Sequence, residues 1–222
     1  MSKNWLADAF APELAKNLAL FGQVASQDEP YFAMFGRFIA SFAGAESAVH
    51  MLARKQSGLS DQVARVIFGG MRLPDLTPRI RQMLRITRAD NAVYTAVDKY
   101  LTQLDLIGEQ RHKLVHRNVD FDPALGKLAV SNQFTAKFLD IAEFDHFSIN
   151  DLDAMREDAT RIFVALVEIV SPFDGKSAED LAHWTEWKAR PWRYKPVPPP
   201  PQKKSPQKAP KAQRRRPDAS QG

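Results

Sequence analysis

The fold is decided by residues 90–116, whose sequence is DNAVYTAVDKYLTQLDLIGEQRHKLVH. Apolar side chains recur in this stretch every three or four positions, which places them on one side of an α-helix. Asp90 is a favourable N-cap residue, and Gly108 has the poorest helix propensity in the stretch. The pattern predicts a long amphipathic helix that begins at Asp90 and ends near His116.

Two more long helices are predicted, one on each side of this one along the chain. The first has Asp28 as its N-cap and Pro30 in its first turn, and its apolar periodicity continues to a stop at Gly58. The second begins at Ser148, which has the spacing of a capping box with Asp151, and continues for about 20 residues with the same periodicity. Three amphipathic helices of this length bury their apolar sides best against one another.

Shorter helices are predicted between and beyond these elements. Residues 5–24 are compatible with one or two short amphipathic helices. Ser60 or Leu59 opens a helix that the glycine pair at 69–70 ends, and Thr77-Pro78 opens the next one. Ser177 repeats the capping-box spacing with the acidic residue at 180 and opens a last short helix.

The stretch between Arg117 and Phe147 follows a different pattern, with apolar residues among turn residues. It predicts a short β-hairpin insertion in which Lys127–Ser131 pairs with Phe138–Phe144. The whole sequence therefore predicts an all-α helical bundle over residues 28–190, with this hairpin inserted. Residues 1–27 form an N-terminal helical extension in this interpretation.

The C-terminal residues 191–222 differ sharply in composition from the rest. They contain nine prolines, nine Lys or Arg and one Asp, whereas residues 1–190 contain 22 basic and 25 acidic residues. Such a segment has too little apolar surface to fold alone, so we expect a disordered, proline-rich basic tail. Its cations would attract nucleic acid without reading sequence. The tail cations assigned to this role are Lys203, Lys204, Lys208, Lys211, Arg214, Arg215 and Arg216.

Several classes of protein are excluded by what the sequence lacks. There is no cysteine, which excludes disulfides, thiolate metal sites and a cysteine nucleophile. The common hydrolase, kinase, dinucleotide-binding and zinc-protease motifs are missing as well. No stretch approaches the roughly 20 apolar residues that span a bilayer, and the N-terminus lacks a signal-peptide core. We expect a cytoplasmic protein without a membrane partner.

One motif carries specific chemical information: Arg111-His112-Lys-Leu-Val-His116, at the end of the central predicted helix. An Arg can neutralise charge that builds on a phosphate, and a His can transfer protons near neutral pH. Together they suit RNA cleavage without a metal. In an ideal helix Arg111 and His116 lie about 140° apart, so either the helix unwinds near His116 or two protomers contribute to one site.

This motif resembles the R-x4-6-H motif of the HEPN superfamily, in which a polar residue such as His112 often follows the Arg. The resemblance implies an up-and-down helical bundle, a homodimer that brings two motifs together, and metal-independent endoribonuclease activity with no cofactor. It assigns phosphate stabilisation to Arg111, acid-base catalysis to His116 and an assisting role to His112. It also implies RNA as substrate and a role as a toxin or antiviral defence effector, with an antitoxin or other protein as a partner.

Glu46 and Arg117 are the predicted supporting residues of this site. Glu46 lies within the first long helix and is the first candidate for a carboxylate that positions Arg111, because Arg forms directional pairs with carboxylates. His112 and His116 share a helical face and could instead bind a metal, but no third ligand lies nearby in the sequence. Interaction of the motif cations with the helix dipole is the plain structural explanation.

Other interpretations remain open at this stage. Trp184, Trp187, Trp192 and Tyr194 alternate with basic residues and could stack on single-stranded RNA, although packing of Trp184 and Trp187 on the bundle is the favoured interpretation. The chain could also be a non-catalytic module that binds nucleic acid or an acidic protein through its tail. A third alternative is a protein-interaction adaptor that uses the polyproline run at 198–201.

Overall fold

The protein is described by a computed structural model. The structure describes residues 5–87, 90–133, 143–171 and 185–196, with side chains from residue 27 onward. Within these ranges it is mostly helical and contains one small antiparallel sheet. The main elements follow in the order α1 (Trp5–Ser57), α2 (Asp61–Phe68), α3 (Leu73–Ile86), α4 (Asn91–His116), β1 (Asn118–Asp122), β2 (Lys127–Ser131), β3 (Phe144–Phe147) and α5 (Ile149–Val170). Residues 185–189 are helical as well.

Four of the helices surround a common apolar core. α1 packs mainly on α5 and α3, and α4 lies between α3 and α5. Small residues on α1 face the bundle interior, which lets α1 and α5 approach closely. The core side chains with no solvent exposure include Phe38, Leu52, Leu76, Ile80, Leu101, Leu104, Ile107, Leu152, Met155 and Ile162.

The predicted starts of α4 and α5 are confirmed. The Asp90 side chain accepts a hydrogen bond from the backbone N–H of Ala92 at 2.7 Å. Ser148 and Asp151 form a reciprocal capping box, in which each side chain accepts from the backbone N–H of the other. These caps satisfy N–H groups that have no partner inside the helix, and both are recognisable in the sequence.

The predicted starts of two other helices are wrong. α1 does not begin at Asp28 but runs without a break through Pro30, and α3 begins at Leu73, ahead of Thr77, with Pro78 inside it. Proline already has a helical φ, but inside a helix it removes one hydrogen bond and its ring crowds the carbonyl four residues earlier. Packing of α1 against α5 and of α3 against α1 offsets that loss, so the sequence overstated proline as a boundary.

The predicted hairpin is a three-stranded sheet with the order β1-β2-β3. The predicted strand Lys127–Ser131 is confirmed as β2, but β1 precedes it and pairs with it, with Val119 opposite Val130. The turn between β1 and β2 includes Gly126 at φ 58°. Of the second predicted strand, Phe138–Phe144, only the last two residues are described: Phe144 begins β3, which covers Phe144–Phe147 and pairs with β2, and residues 134–142 lie outside the described residues.

Residues 190–194 pack on the bundle, and the predicted start of the tail at 191 lies inside this segment. Tyr194 is buried and Trp192 is half-buried. The backbone N–H groups of Arg193 and Tyr194 donate to the Asp158 carboxylate at 3.1 and 2.9 Å. We call residues 190–194, together with Asp158, Arg161 and Gln103, the clasp.

Some predictions fall on residues that the structure does not describe. They are the capping box at 177–180, Trp184 and all the tail cations from Lys203 to Arg216. Among the described helices, no segment has both the length and the apolarity required to cross a membrane.

Candidate functional site

A groove of about 1080 Å³ opens between the start of α3, the C-terminal half of α4 and one turn of α1. Its apolar floor includes Phe42 of α1 and Leu104 of α4. Its polar lining residues are Glu46, Arg72, Thr77, Arg81, Asp105, Glu109, Arg111, His112, Lys113, His116 and Arg117. All five predicted catalytic and supporting residues of the bundle are thus brought to one groove.

Arg111 is the most unusual side chain in this groove. Its Nε is fully buried and has no hydrogen-bond partner, and no described residue forms an ion pair with it. Its guanidinium carbon lies 5.8 Å from the centroid of the Phe42 ring, close enough for a cation–π interaction. A donor left without an acceptor in this way costs free energy, which a ligand oxygen would recover.

His112 and His116 lie one turn apart on α4, and both are exposed. Their ring centroids are 4.6 Å apart and the rings are tilted by 50°. α4 stays helical through His116, and the N–H of Arg117 donates to the carbonyl of Lys113. α4 therefore does not unwind before His116, yet Arg111 and His116 line the same groove of one chain, and the two-protomer arrangement stays a prediction.

Lys113 and Arg117 line the groove but are bound to the sheet. Lys113 Nζ lies 3.1 Å from the Asp145 carboxylate, and Arg117 reaches Asp145 at 3.3 Å and Glu143 at 2.8 Å. These ion pairs hold the end of α4 against β3. Arg117, predicted as a supporting residue, has its guanidinium committed to these carboxylates rather than to the motif.

Glu46 lies in the same groove as Arg111, but no ion pair joins these two described residues. No described contact therefore supports the predicted positioning of Arg111 by Glu46.

Other carboxylates of this region form ion pairs at the α3–α4 interface. Arg81 contacts Asp98 at 2.7 Å and Asp105 at 3.3 Å. Burial raises the pKa of Asp105 against the opposing effect of Arg81.

Among the groove residues that were not predicted, Arg72 and Glu109 are the two charged ones without an ion pair to a described residue. Arg72 immediately precedes α3, and Glu109 lies one turn before His112 on α4. Glu109 belongs to the segment already singled out, so its helical spacing from His112 was an available signal. Nothing in the sequence indicated Arg72, because the start of α3 and the end of α4 are brought together only by tertiary packing.

The predicted stacking role of Trp192 and Tyr194 does not fit their positions. Trp192 packs over the Arg161 guanidinium at 4.2 Å and against the Tyr100 ring at 6.1 Å, and Tyr194 is only 8 % exposed. Both side chains serve packing. Within the described ranges, no group of three His, Asp or Glu side chains could hold a metal ion.

Comparisons of the chain with protein-family models, with curated proteins and with solved structures give no match. What the groove can do chemically therefore follows from its own residues. An unpaired guanidinium beside two imidazoles can bind a phosphate oxygen and move protons at the oxygens bonded to the same phosphorus.

Proposed function

We propose that the chain is a metal-independent endoribonuclease of the HEPN type. The observation that supports this most is the unpaired Arg111 in the same groove as His112 and His116. No described residue pairs with its terminal nitrogens, and the planar fork of a guanidinium matches two oxygens of a phosphate. A role as a toxin or defence effector, controlled by a protein partner, belongs to the same proposal.

The reaction needs only the groups that the groove contains. The ribose 2′-hydroxyl attacks the adjacent phosphorus while a neutral imidazole accepts its proton, and the bond from phosphorus to the 5′-oxygen breaks as that oxygen receives a proton. The products are a 2′,3′-cyclic phosphate and a 5′-hydroxyl. In this mechanism His116 transfers protons, His112 assists it, and Arg111 stabilises the negative charge on the non-bridging oxygens.

A homodimer with a composite site is part of the proposal. Arg111 and His116 project about 140° apart from a regular helix, so an Arg of one protomer and a His of its partner could meet at one phosphate. Mixing Arg111→Ala protein with His116→Ala protein tests this. Random exchange of protomers would restore roughly a quarter of the wild-type sites if the site is composite, and none if each site belongs to one chain.

The activity is tested by incubating the full chain with mixed RNA in the presence of a chelator. We expect cleavage to 2′,3′-cyclic phosphate ends, and a loss of at least about 100-fold in Arg111→Ala and in His116→Ala. Arg79→Ala is the matched control, because Arg79 is exposed on α3 and does not line the groove. Cleavage that survives in either motif variant would contradict the proposal. RNA binding without cleavage would instead favour the non-catalytic nucleic-acid-binding module.

A further inference from the structure

We propose that Arg72 is a second phosphate-binding residue of the groove, which would make the substrate an RNA strand of several nucleotides rather than a single phosphodiester. This inference rests on the proposed function. Arg72 lies at the residue before α3, on the wall of the groove that faces α4 and its motif. A strand that crosses the groove would meet Arg111 on one wall and Arg72 on the other.

Arg72 is one of the groove cations that remain available to a phosphate. Five Lys or Arg side chains line the groove, and three of them are committed to carboxylates: Arg81, Lys113 and Arg117. Arg72 and Arg111 are left, and neither forms an ion pair with a described residue. A paired cation must give up its carboxylate before it can bind a phosphate, whereas an unpaired one need not.

Negative charge in the groove restricts where a phosphate can bind. Glu46 and Glu109 also line the groove and form no ion pair with a described residue. They repel phosphates, so the favourable phosphate positions are confined to the two free arginines. Arg offers a planar fork that matches two phosphate oxygens, which makes each of these positions directional.

The groove is large enough for more than a single phosphate group. The groove has a volume of about 1080 Å³. Sites for drug-sized ligands span roughly 300–1,000 Å³, so this groove has room for more than one nucleotide. The two arginines would then hold different phosphates of one strand.

Binding is measured with the full chain and 2′-O-methyl RNA, which lacks the attacking hydroxyl and is not cleaved. A hexanucleotide and a dinucleotide are compared in Arg72→Gln and in the matched control Arg79→Gln. We expect Arg72→Gln to weaken hexanucleotide binding about tenfold and to lower the salt slope by about 0.7, the value for one phosphate contact on a single strand. Dinucleotide binding should stay unchanged. Equal behaviour of the two variants would overturn the inference.

Cleavage measurements separate this inference from the proposed function. With unmodified RNA, Arg72→Gln should lower kcat/KM for the hexanucleotide and leave it unchanged for the dinucleotide. If wild type does not cleave but hexanucleotide binding still depends on Arg72, the activity is wrong and the second phosphate position stands. If wild type cleaves and Arg72→Gln equals Arg79→Gln on both substrates, the activity stands and the second phosphate position is wrong.

Discussion

Arg161 in the clasp and Arg111 in the groove look alike in two respects and differ in a third. Each guanidinium lies near an aromatic ring, at 4.2 Å from Trp192 and 5.8 Å from Phe42. Each has a buried Nε without a hydrogen-bond partner. The terminal nitrogens of Arg161, however, donate to the Asp158 carboxylate and to the carbonyls of residues 190 and 191, whereas those of Arg111 have no partner among the described residues.

The difference separates a structural arginine from one that is available to a ligand. Asp158 has no solvent exposure and also accepts from Gln103 and from two backbone N–H groups of the clasp. Both charges of that pair are therefore neutralised and hydrogen-bonded, which is the condition for burying them. Arg111 has a ring beside it and no counter-charge. Because the buried Nε lacks a partner in both arginines, what distinguishes Arg111 is that its terminal nitrogens have no described partner and that no described carboxylate pairs with it.

Asp158→Ala should produce the largest effect, a loss of about 3–5 kcal/mol in the free energy of unfolding. The substitution leaves Arg161 buried without a counter-charge and leaves Gln103 and two backbone N–H groups without their acceptor. Urea unfolding of the full chain measures it.

The control is Asp153→Ala, which removes partly exposed ion pairs with Arg156 and Arg193 and should cost no more than about 1 kcal/mol. If Asp158→Ala is too unstable to purify, Asp158→Asn retains one acceptor and should show a smaller loss. If Asp153→Ala and Asp158→Ala lower the free energy of unfolding equally, the buried ion pair of the clasp is not more important for stability than the exposed ones.

Lysine substitutions test both arginines with the charge retained. Arg161→Lys loses the fork that joins Asp158 to two carbonyls, so we expect a loss of about 1–3 kcal/mol in stability. Arg111→Lys should change stability by no more than about 0.5 kcal/mol, because no described partner is lost.

Cleavage of RNA should give the opposite order for the same two variants. Arg111→Lys should lower kcat/KM at least about tenfold, and Arg161→Lys should keep it at temperatures where the protein stays folded. The comparison fails if Arg111→Lys destabilises the protein as much as Arg161→Lys does.

Alkaline pH should weaken the clasp. Burial, and then the carboxylates of Asp151, Asp145 and Glu109, raise the pKa of Tyr194 to about 12. An ordinary tyrosine has a pKa near 10, so between about pH 10 and 12 the folded state holds this proton more tightly than the unfolded state. The resulting stability is complete below about pH 10 and is lost as the pH rises towards 12.

Tyr194→Phe should remove about 1–2 kcal/mol of this pH dependence while leaving the dependence below pH 9 unchanged. Urea midpoints at several pH values measure it, and tyrosine absorbance near 295 nm follows the titration directly. An identical decline above pH 10 in wild type and variant would show that Tyr194 is not the group responsible.

The helices of the fold were predictable where local chemistry determines them. Asp90 and the Ser148–Asp151 capping box mark helix starts because their side chains bond to backbone N–H groups a few residues away. Pro30 and Pro78 were wrongly predicted to mark helix starts, because tertiary packing of α1 and α3 offsets the cost of a proline inside each helix.

The site was predictable only along α4. Arg111, His112 and His116 follow one another in the sequence, and their shared groove follows from their helix. The position of Arg72 in the groove and the contacts of the clasp join residues far apart in the chain, such as Tyr194 with Gln103 and Asp158. No local sequence pattern predicts such contacts. The basic, proline-rich composition also gave no indication that residues 191–194 pack on the bundle.

Gly108→Ala should have the smallest effect on stability, and it tests whether the groove tolerates an added methyl group. Gly108 lies inside α4, where alanine stabilises a helix by about 0.5–1 kcal/mol relative to glycine. A Cβ at this position would lie 3.6 Å from the Phe42 ring, an ordinary contact that needs no rearrangement. We therefore expect a small rise in the urea midpoint with RNA cleavage unchanged. A loss of cleavage with that rise in stability would show that the added methyl group occupies space in the groove, which Gly108 lines, that the RNA needs.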